Sequence, residues 1–297
     1  MTVPKKRTYT KKNPNIITFK PKANLPQGVS REETELRNVI QLEFPQKRIL
    51  SSNRQILDGR ELDMYIPDNK LAIEFDGVYF HSTAKKDDKF YHLWKTIECE
   101  KRGIRLLHIL SDEWELKRPL VLDIVKKALG KYNTLKQEDC CIVVLTPKEE
   151  EVFMNNFHLL GHYKDSCLGL GILYKNKVVM GMSFGKIDDD WILTRVATLV
   201  GVEVEKGFHH LMNYFLEKYS PKSVYASIDR RFESAFDIKD FGFIEIESSN
   251  PNTTYTKDFQ HRYQESDFKN FDEATLTSQG WYKVYDCGRR RFILKNI

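Results

Sequence analysis

Residues 61–77, ELDMYIPDNKLAIEFDG, constrain the local fold more tightly than any other stretch of the chain. Two runs of alternating apolar residues flank Pro67-Asp68-Asn69-Lys70, a turn-forming tetrapeptide, and together they predict a β-hairpin. Pairing Ile66 with Leu71 sets Asp63 across from Glu74 and Glu61 across from Asp76. Opposed residues have Cβ atoms about 4.5–5.5 Å apart, a separation at which like charges destabilise a sheet. The other face, Leu62, Met64, Leu71, Ile73 and Phe75, is apolar, and Gly77-Val78-Tyr79-Phe80-His81 continues that character. The acids therefore border a core instead of forming a solvated face. A hard divalent cation resolves the conflict, because Mg²⁺ takes one or two carboxylates plus water and substrate phosphate. Asp63 and Glu74 are the expected ligands.

Around the hairpin the pattern gives a helix, strands, then helices. Ser30 precedes Glu33 at capping-box spacing, and Leu36, Val39, Ile40 and Phe44 share one face of a helix that Pro45 ends. A strand is expected near Lys47–Ser51, a helix over Lys86–Lys101, a buried strand at Arg105–Leu110 and a helix over Pro119–Leu129. The order is αβββαβα. The polar run between Gly130 and Asp139 marks a domain boundary. Beyond it the sequence predicts a helix over Pro147–Phe157, strands at Gly169–Tyr174, Val178–Phe184 and Trp191–Ala197, a helix over Lys206–Tyr219 and a strand at Ser223–Ile228. The expected domains are a basic arm, 1–29, a first globular domain, 30–133, and a second, 134–297.

A chain of 297 residues with 41% hydrophobic content can fill two cores. Its net charge of +5 is concentrated: Lys5, Lys6, Arg7, Lys11, Lys12, Lys20 and Lys22 fall in the first thirty residues, with no acid among them. Such an arm suits contact with a nucleic-acid backbone by counterion release. No apolar run is long enough to cross a bilayer, and the five cysteines form no CxxC pair. The expectation is an intracellular, cytoplasmic protein without a membrane partner.

Glu33-x-x-Leu36-Arg37, Glu61 to Pro67, Ile73-Glu74-Phe75-Asp76-Gly77-Val78-Tyr79-Phe80-His81-Ser82, Gly103 to Leu110 and Asp112-Glu113-Trp114 resemble the very-short-patch-repair branch of the PD-(D/E)XK nucleases, which phage homing endonucleases share. The resemblance covers about 100 residues and implies an α/β (α+β) class with a restriction-endonuclease-like αβββαβ core. It implies a Mg²⁺-dependent DNA endonuclease in a phage-infected bacterial cell, with double-stranded DNA as partner. Asp63 matches the acid that binds the catalytic ion, Glu74 the (D/E) position, His81 the histidine that activates or positions water, and Glu33 the helical acid. Asp76 stands where the superfamily more often has lysine, which moves the base role to His81, with Lys95 a substitute. Hydrolysis of a phosphodiester needs charge neutralisation and a group that titrates near neutrality, and this set can supply both. Tyr79, His92 and Lys95 are expected DNA contacts.

Residues 140–247 resemble a GNAT-like α/β domain in element order and in Phe236 with Phe241-Gly242-Phe243. Val200 to Gly207 stands at that fold's phosphate-cradling loop, and Glu203 and Glu205 would repel pyrophosphate, so no acetyl-CoA is expected. The domain is expected to recognise or dock DNA through Arg230, Arg231, Arg289, Arg290 and Arg291. A mismatch-nicking repair enzyme, a DNA-binding protein with an inactive nuclease core and, last, an acyltransferase are the rival readings.

Overall fold

The computed structural model describes residues 30–232 and 236–295, so the expected DNA contacts Lys5, Lys6, Arg7, Lys11 and Lys12 lie outside the described residues. The chain divides into two compact units, one of residues up to Leu116 with Thr253–Asp286, the other of Lys117–Asn252 with Cys287–Ile297. This partition differs from the domains expected at 133/134 in two ways. The first division falls inside a helix, and a C-terminal segment returns to the first unit.

The first unit opens with α1 (Arg31–Glu43), whose Glu33 N–H donates to the Ser30 hydroxyl at 3.0 Å. Leu36 and Ile40 are buried on its inner face. A four-stranded sheet follows in the order β1 (Leu50–Leu57), β2 (Arg60–Ile66), β3 (Leu71–Asp76) and β4 (Arg105–Leu110). Met64 pairs with Ile73, Tyr65 with Ala72 and Ile66 with Leu71, the register that the alternation demands. The strand expected at Lys47–Ser51 instead begins at Leu50. It turns into β2 through Asp58-Gly59, both at positive φ (50° and 96°), an Asp-Gly hairpin turn that the sequence displays openly. Strand β4 runs parallel to β3, pairing Glu74 with His108. Between them α2 spans Tyr91–Lys101 and not the longer Lys86–Lys101, because Asp88 Oδ1 accepts from the Phe90 N–H at 3.3 Å and holds a turn there. Helix α3 (Ser111–Ala128) starts eight residues before the expected Pro119. It absorbs Pro119 through a kink at Lys117 (φ −135°).

In the second unit the polar stretch expected to mark a domain boundary contains β5 (Asn133–Leu135), parallel to β10 (Val202–Val204). Strand β6 (Cys141–Leu145) was not expected although Cys-Ile-Val-Val-Leu is a β-prone run. After α4 (Pro147–Phe157) come β7 (Ser166–Tyr174), β8 (Lys177–Ile187), β9 (Asp190–Thr198), α5 (Gly207–Tyr219), β11 (Ser223–Asp229), α6 (Phe236–Asp240) and β12 (Ile244–Ser248). The chain then returns to the first unit with β13 (Thr253–Thr256), β14 (Tyr263–Gln264), α7 (Glu273–Ser278) and β15 (Tyr282–Tyr285), and ends with β16 (Arg289–Lys295). The second unit's sheet has the order β12-β16-β11-β9-β8-β7-β6. Its core stacks Phe184 on Phe215 at 3.9 Å beside Trp191. Gly181 is required on β8, because a Cβ there would lie 2.8 Å from the Phe153 ring of α4.

The returning segment is built into the first unit by charge as well as packing. Arg262 Nε donates to Asp112 Oδ2 at 2.9 Å and its NH2 donates to Glu113 Oε1 at 2.7 Å, with all three side chains nearly buried. Both acids lie in the first turn of α3, where negative charge also suits the helix dipole. Arg262→Met is expected to cost on the order of 2 kcal/mol, the scale of charged hydrogen bonds lost from a buried setting. Urea unfolding read by circular dichroism checks this, and an unchanged midpoint would show the contact to be dispensable.

Candidate active site

Asp63 and Glu74 meet across β2 and β3 as the register requires. The Phe75 N–H donates to Asp63 Oδ2 at 2.8 Å and the Asp63 N–H donates to Glu74 Oε1 at 3.2 Å, so each carboxylate is anchored by the opposite strand. Glu61 does not join them: its carboxylate accepts from Arg54 Nε at 3.0 Å and NH2 at 2.7 Å. Glu33, in the first turn of α1, is buried. Burial, then the Asp63 carboxylate, pushes Glu33 up to about 7. Burial likewise pushes Asp63 up to about 6, against the pull of the Phe75 N–H. Glu74 moves in the same direction, from burial first and Asp63 second, with Lys95 opposing.

Lys95 is the correction of greatest chemical weight. It was expected to reach DNA from the surface of α2, yet it is among the largest fully buried side chains and its ammonium contacts Glu74 Oε2. Burial disfavours its charge, but the Glu74 carboxylate outweighs that and holds its pKa above the ordinary lysine value. An ammonium thus sits beside the (D/E) position, although it comes from a helix and not from the strand residue Asp76.

Asp76 instead collects imidazoles. His108 Nδ1 lies 2.9 Å from Asp76 Oδ2, His92 Nδ1 3.4 Å from Oδ1, and His81 Nε2 3.7 Å from Oδ1. Burial would raise Asp76, but His92, His108 and His81 together hold it well below the usual carboxylate range. His92, also expected to touch DNA, is buried, and burial pushes it down to about 3 against the Asp76 carboxylate. Burial lowers His81 as well, with Asp76 again opposing. Both rings are therefore neutral at pH 7.

His81 is placed by a compact turn. Its N–H donates to the Gly77 carbonyl at 3.0 Å, and the Ser82 hydroxyl donates to the Tyr79 carbonyl at 2.9 Å. The returning segment braces this turn: the Thr83 N–H donates to the Lys283 carbonyl at 2.9 Å, and the Lys283 N–H donates to Thr83 Oγ1 at 3.0 Å. Val78, Leu110 and Val284 close the core beneath. Tyr79 stays 39% exposed, edge-on to Phe80 and Phe259, and remains placed to meet a ligand. His108, Thr96 and the brace were not anticipated. An imidazole within Leu-Leu-His-Ile-Leu of a buried strand was the available signal.

In the second unit Arg230 and Arg231 are buried, and Arg231 NH2 donates to Asp229 Oδ2 at 2.8 Å, so neither is the expected DNA contact. Arg290 Nε lies 3.8 Å from Glu245 and Arg291 NH1 2.9 Å from Glu247 across β12 and β16. Arg291 is exposed and Arg289 half-buried.

The three raised carboxylates make stability fall as pH rises. Each binds a proton in the folded state at pH values where the unfolded chain has released it, so the stabilisation is complete below the ordinary carboxylate range near 4 and is lost through about 6 to 8. The buried imidazoles of His81 and His92, which burial lowers, act in the opposite sense and gain stability as pH rises through about 6.5. The carboxylate share is therefore read as the difference in melting temperature between the metal-free parent and Glu33→Gln, which is expected to shift against the parent between about pH 5 and about pH 8. Mg²⁺ is expected to recover part of the carboxylate loss at the higher pH, and a flat difference would contradict this account.

No protein-family model matches the chain, and no curated protein matches it. Solved structures with a measurable likeness include a GNAT family acetyltransferase from Elizabethkingia anophelis, with acetyl-CoA bound (TM-score 0.33, 10% identity, 54% of this chain and 100% of that one). The ribosomal-protein-S18-alanine N-acetyltransferase of Escherichia coli (TM-score 0.31, 10% identity, 52% and 93%) and a Bacillus subtilis acetyltransferase in complex with CoA (TM-score 0.34, 11% identity, 53% and 99%) are similar to it as well. Among the described residues no helix is long and apolar enough to cross a membrane.

Proposed function

We propose that the first unit is a Mg²⁺-dependent DNA endonuclease of the homing type, with a restriction-endonuclease-like core. The observation that carries this reading is the Asp63/Glu74 pair opposed across two strands with the Lys95 ammonium against Glu74. Two anchored carboxylates, crowded by Glu33 and raised by burial, form a donor set that a hard cation fits. Held by Asp63 and Glu74, Mg²⁺ would neutralise charge on the scissile phosphate. Lys95 holds its proton at Nζ against Glu74 Oε2 and so orients that carboxylate for the cation. His81, neutral and partly exposed at 22% of its side chain, can accept a proton from an attacking water at Nε2.

The rival reading of an inactive core rests on Asp76 standing in the lysine position. Lys95 weighs against it, because it brings an ammonium beside the (D/E) position from a different element. A GNAT-like second unit that docks DNA without acetyl-CoA completes the proposal. Supporting the absence of acetyl-CoA, the backbone around Gly201 is already engaged: the Gly201 N–H donates to Asp123 Oδ1 at 2.6 Å and the Glu205 N–H donates to the Leu135 carbonyl at 2.9 Å. Arg289 and Arg291 remain the second unit's candidates for phosphate.

The test is cleavage of plasmid and phage genomic DNA by the full-length chain with Mg²⁺, with EDTA, and with Asp63→Asn. Metal-dependent strand scission lost in the variant supports the proposal. Cleavage indifferent to that substitution rejects it.

A further inference from the structure

Asp76 Oδ1 and His92 Nδ1 are fully buried and have no hydrogen-bond partner, although they face each other at 3.4 Å. Buried polar atoms are nearly always satisfied, so two orphans side by side call for a third species. His81 Nε2 lies 3.7 Å from the same oxygen. Bonds of about 2.0–2.2 Å from a first-row ion to nitrogen and oxygen set neighbouring ligand atoms roughly 3–3.5 Å apart, a spacing that Asp76 Oδ1 and His92 Nδ1 meet at 3.4 Å and that His81 Nε2, at 3.7 Å, reaches with a small side-chain adjustment. Asp76, His92 and His108 also offer ligand atoms within 4.8 Å of one another, but His108 is otherwise occupied. The Thr96 hydroxyl lies 3.0 Å from His108 Nε2 and His108 Nδ1 lies 2.9 Å from Asp76 Oδ2, so both ring nitrogens are engaged. His108 therefore orients the carboxylate and leaves Oδ1 to be filled.

We propose that Asp76 Oδ1, His92 Nδ1 and His81 Nε2 bind one transition-metal ion of the Zn²⁺ or Co²⁺ kind, at a site distinct from the Asp63/Glu74 pair. Two imidazoles and one carboxylate select such an ion over Mg²⁺, which prefers oxygen throughout. The side chains of Asp76 and His92 are 2% and 5% exposed and that of His81 is 22% exposed, so the ion enters past His81 and keeps a coordination position towards solvent. The inference stands on geometry and does not require the nuclease reading. If both hold, the two ions have opposite effects: an ion on Nε2 removes the lone pair that hydrolysis needs, and Zn²⁺ becomes an off-state ligand.

Titration of the metal-stripped full-length chain with Co²⁺, read by visible d–d absorption without DNA, tests the site. We expect a band saturating at one equivalent in the wild type and in Asp63→Asn, and affinity weakened at least about tenfold in His81→Gln and His92→Gln. Far-UV circular dichroism confirms that each variant is folded, and the partly exposed His81 carries the test if His92→Gln is not. No saturable band in the wild type overturns the proposal and leaves an ordered water as the occupant, and a band insensitive to His81→Gln overturns it by showing that the ion takes other ligands.

Discussion

Lys95→Met is expected to unfold at a markedly lower denaturant concentration and to cut no DNA. The substitution keeps an unbranched side chain of similar bulk and removes the ammonium, so Glu74 loses its counterion in a fully buried position. Breaking a buried ion pair from one side costs about 3–5 kcal/mol, because the remaining charge is neither solvated nor matched. Glu74 can escape part of that cost by taking up a proton, a direction in which burial already pushes it. The double variant Lys95→Met/Glu74→Gln should therefore recover most of the stability while remaining inactive. A cycle of urea midpoints on the two single variants and the double measures the coupling. A single variant as stable as the parent would mean that the contact contributes nothing to the fold. A single variant that cleaves normally would remove Lys95 from the chemistry.

Asp63→Asn separates the site from the fold in the opposite way. The amide oxygen can still accept from the Phe75 N–H, so the hairpin keeps its anchor. Removing the charge relieves Glu33 and Glu74, both of which Asp63 raises, and the variant is expected to match or exceed the parent in melting temperature above neutral pH. Cleavage should fall at least about a thousandfold, since an ion's contribution of several kcal/mol to the transition state is lost. More stable and inactive is a combination that a merely structural carboxylate would not produce. Loss of the folded state in this variant would count against the assignment.

Much of the hairpin could be read directly. A short turn and strict alternation leave one register, and with it the Asp63/Glu74 encounter. Nearly everything that completes the site lies beyond such local logic. Lys95 belongs to a helix, and an amphipathic reading of α2 cannot say that a lysine will be driven inward by an acid 21 residues earlier. The imidazole of His108 reaches Asp76 across a parallel pairing, which depends on where a crossover lands. The brace on the His81 turn joins Thr83 to Lys283, 200 residues apart. By contrast the Asp58-Gly59 turn and strand β6 carry plain local signals, an Asp-Gly pair at positive φ and a β-branched run. The charge clusters misled for a physical reason: Arg231 satisfies a buried aspartate beside it, and a basic pair in a sequence does not tell solvent from a neighbouring acid.

The path of the chain has its own consequence. Because it crosses between units at 116/117, 252/253 and 286/287, no single breakpoint can free one unit from the other. A fragment ending at residue 133 would lack Val284 under the His81 turn and Arg262 against Asp112, and a fragment starting there would carry both as unmatched cargo. Recombination that swaps whole modules at one joint cannot exchange these two. Exchanging one of them takes at least two joints, at 116/117 with 252/253 or beyond.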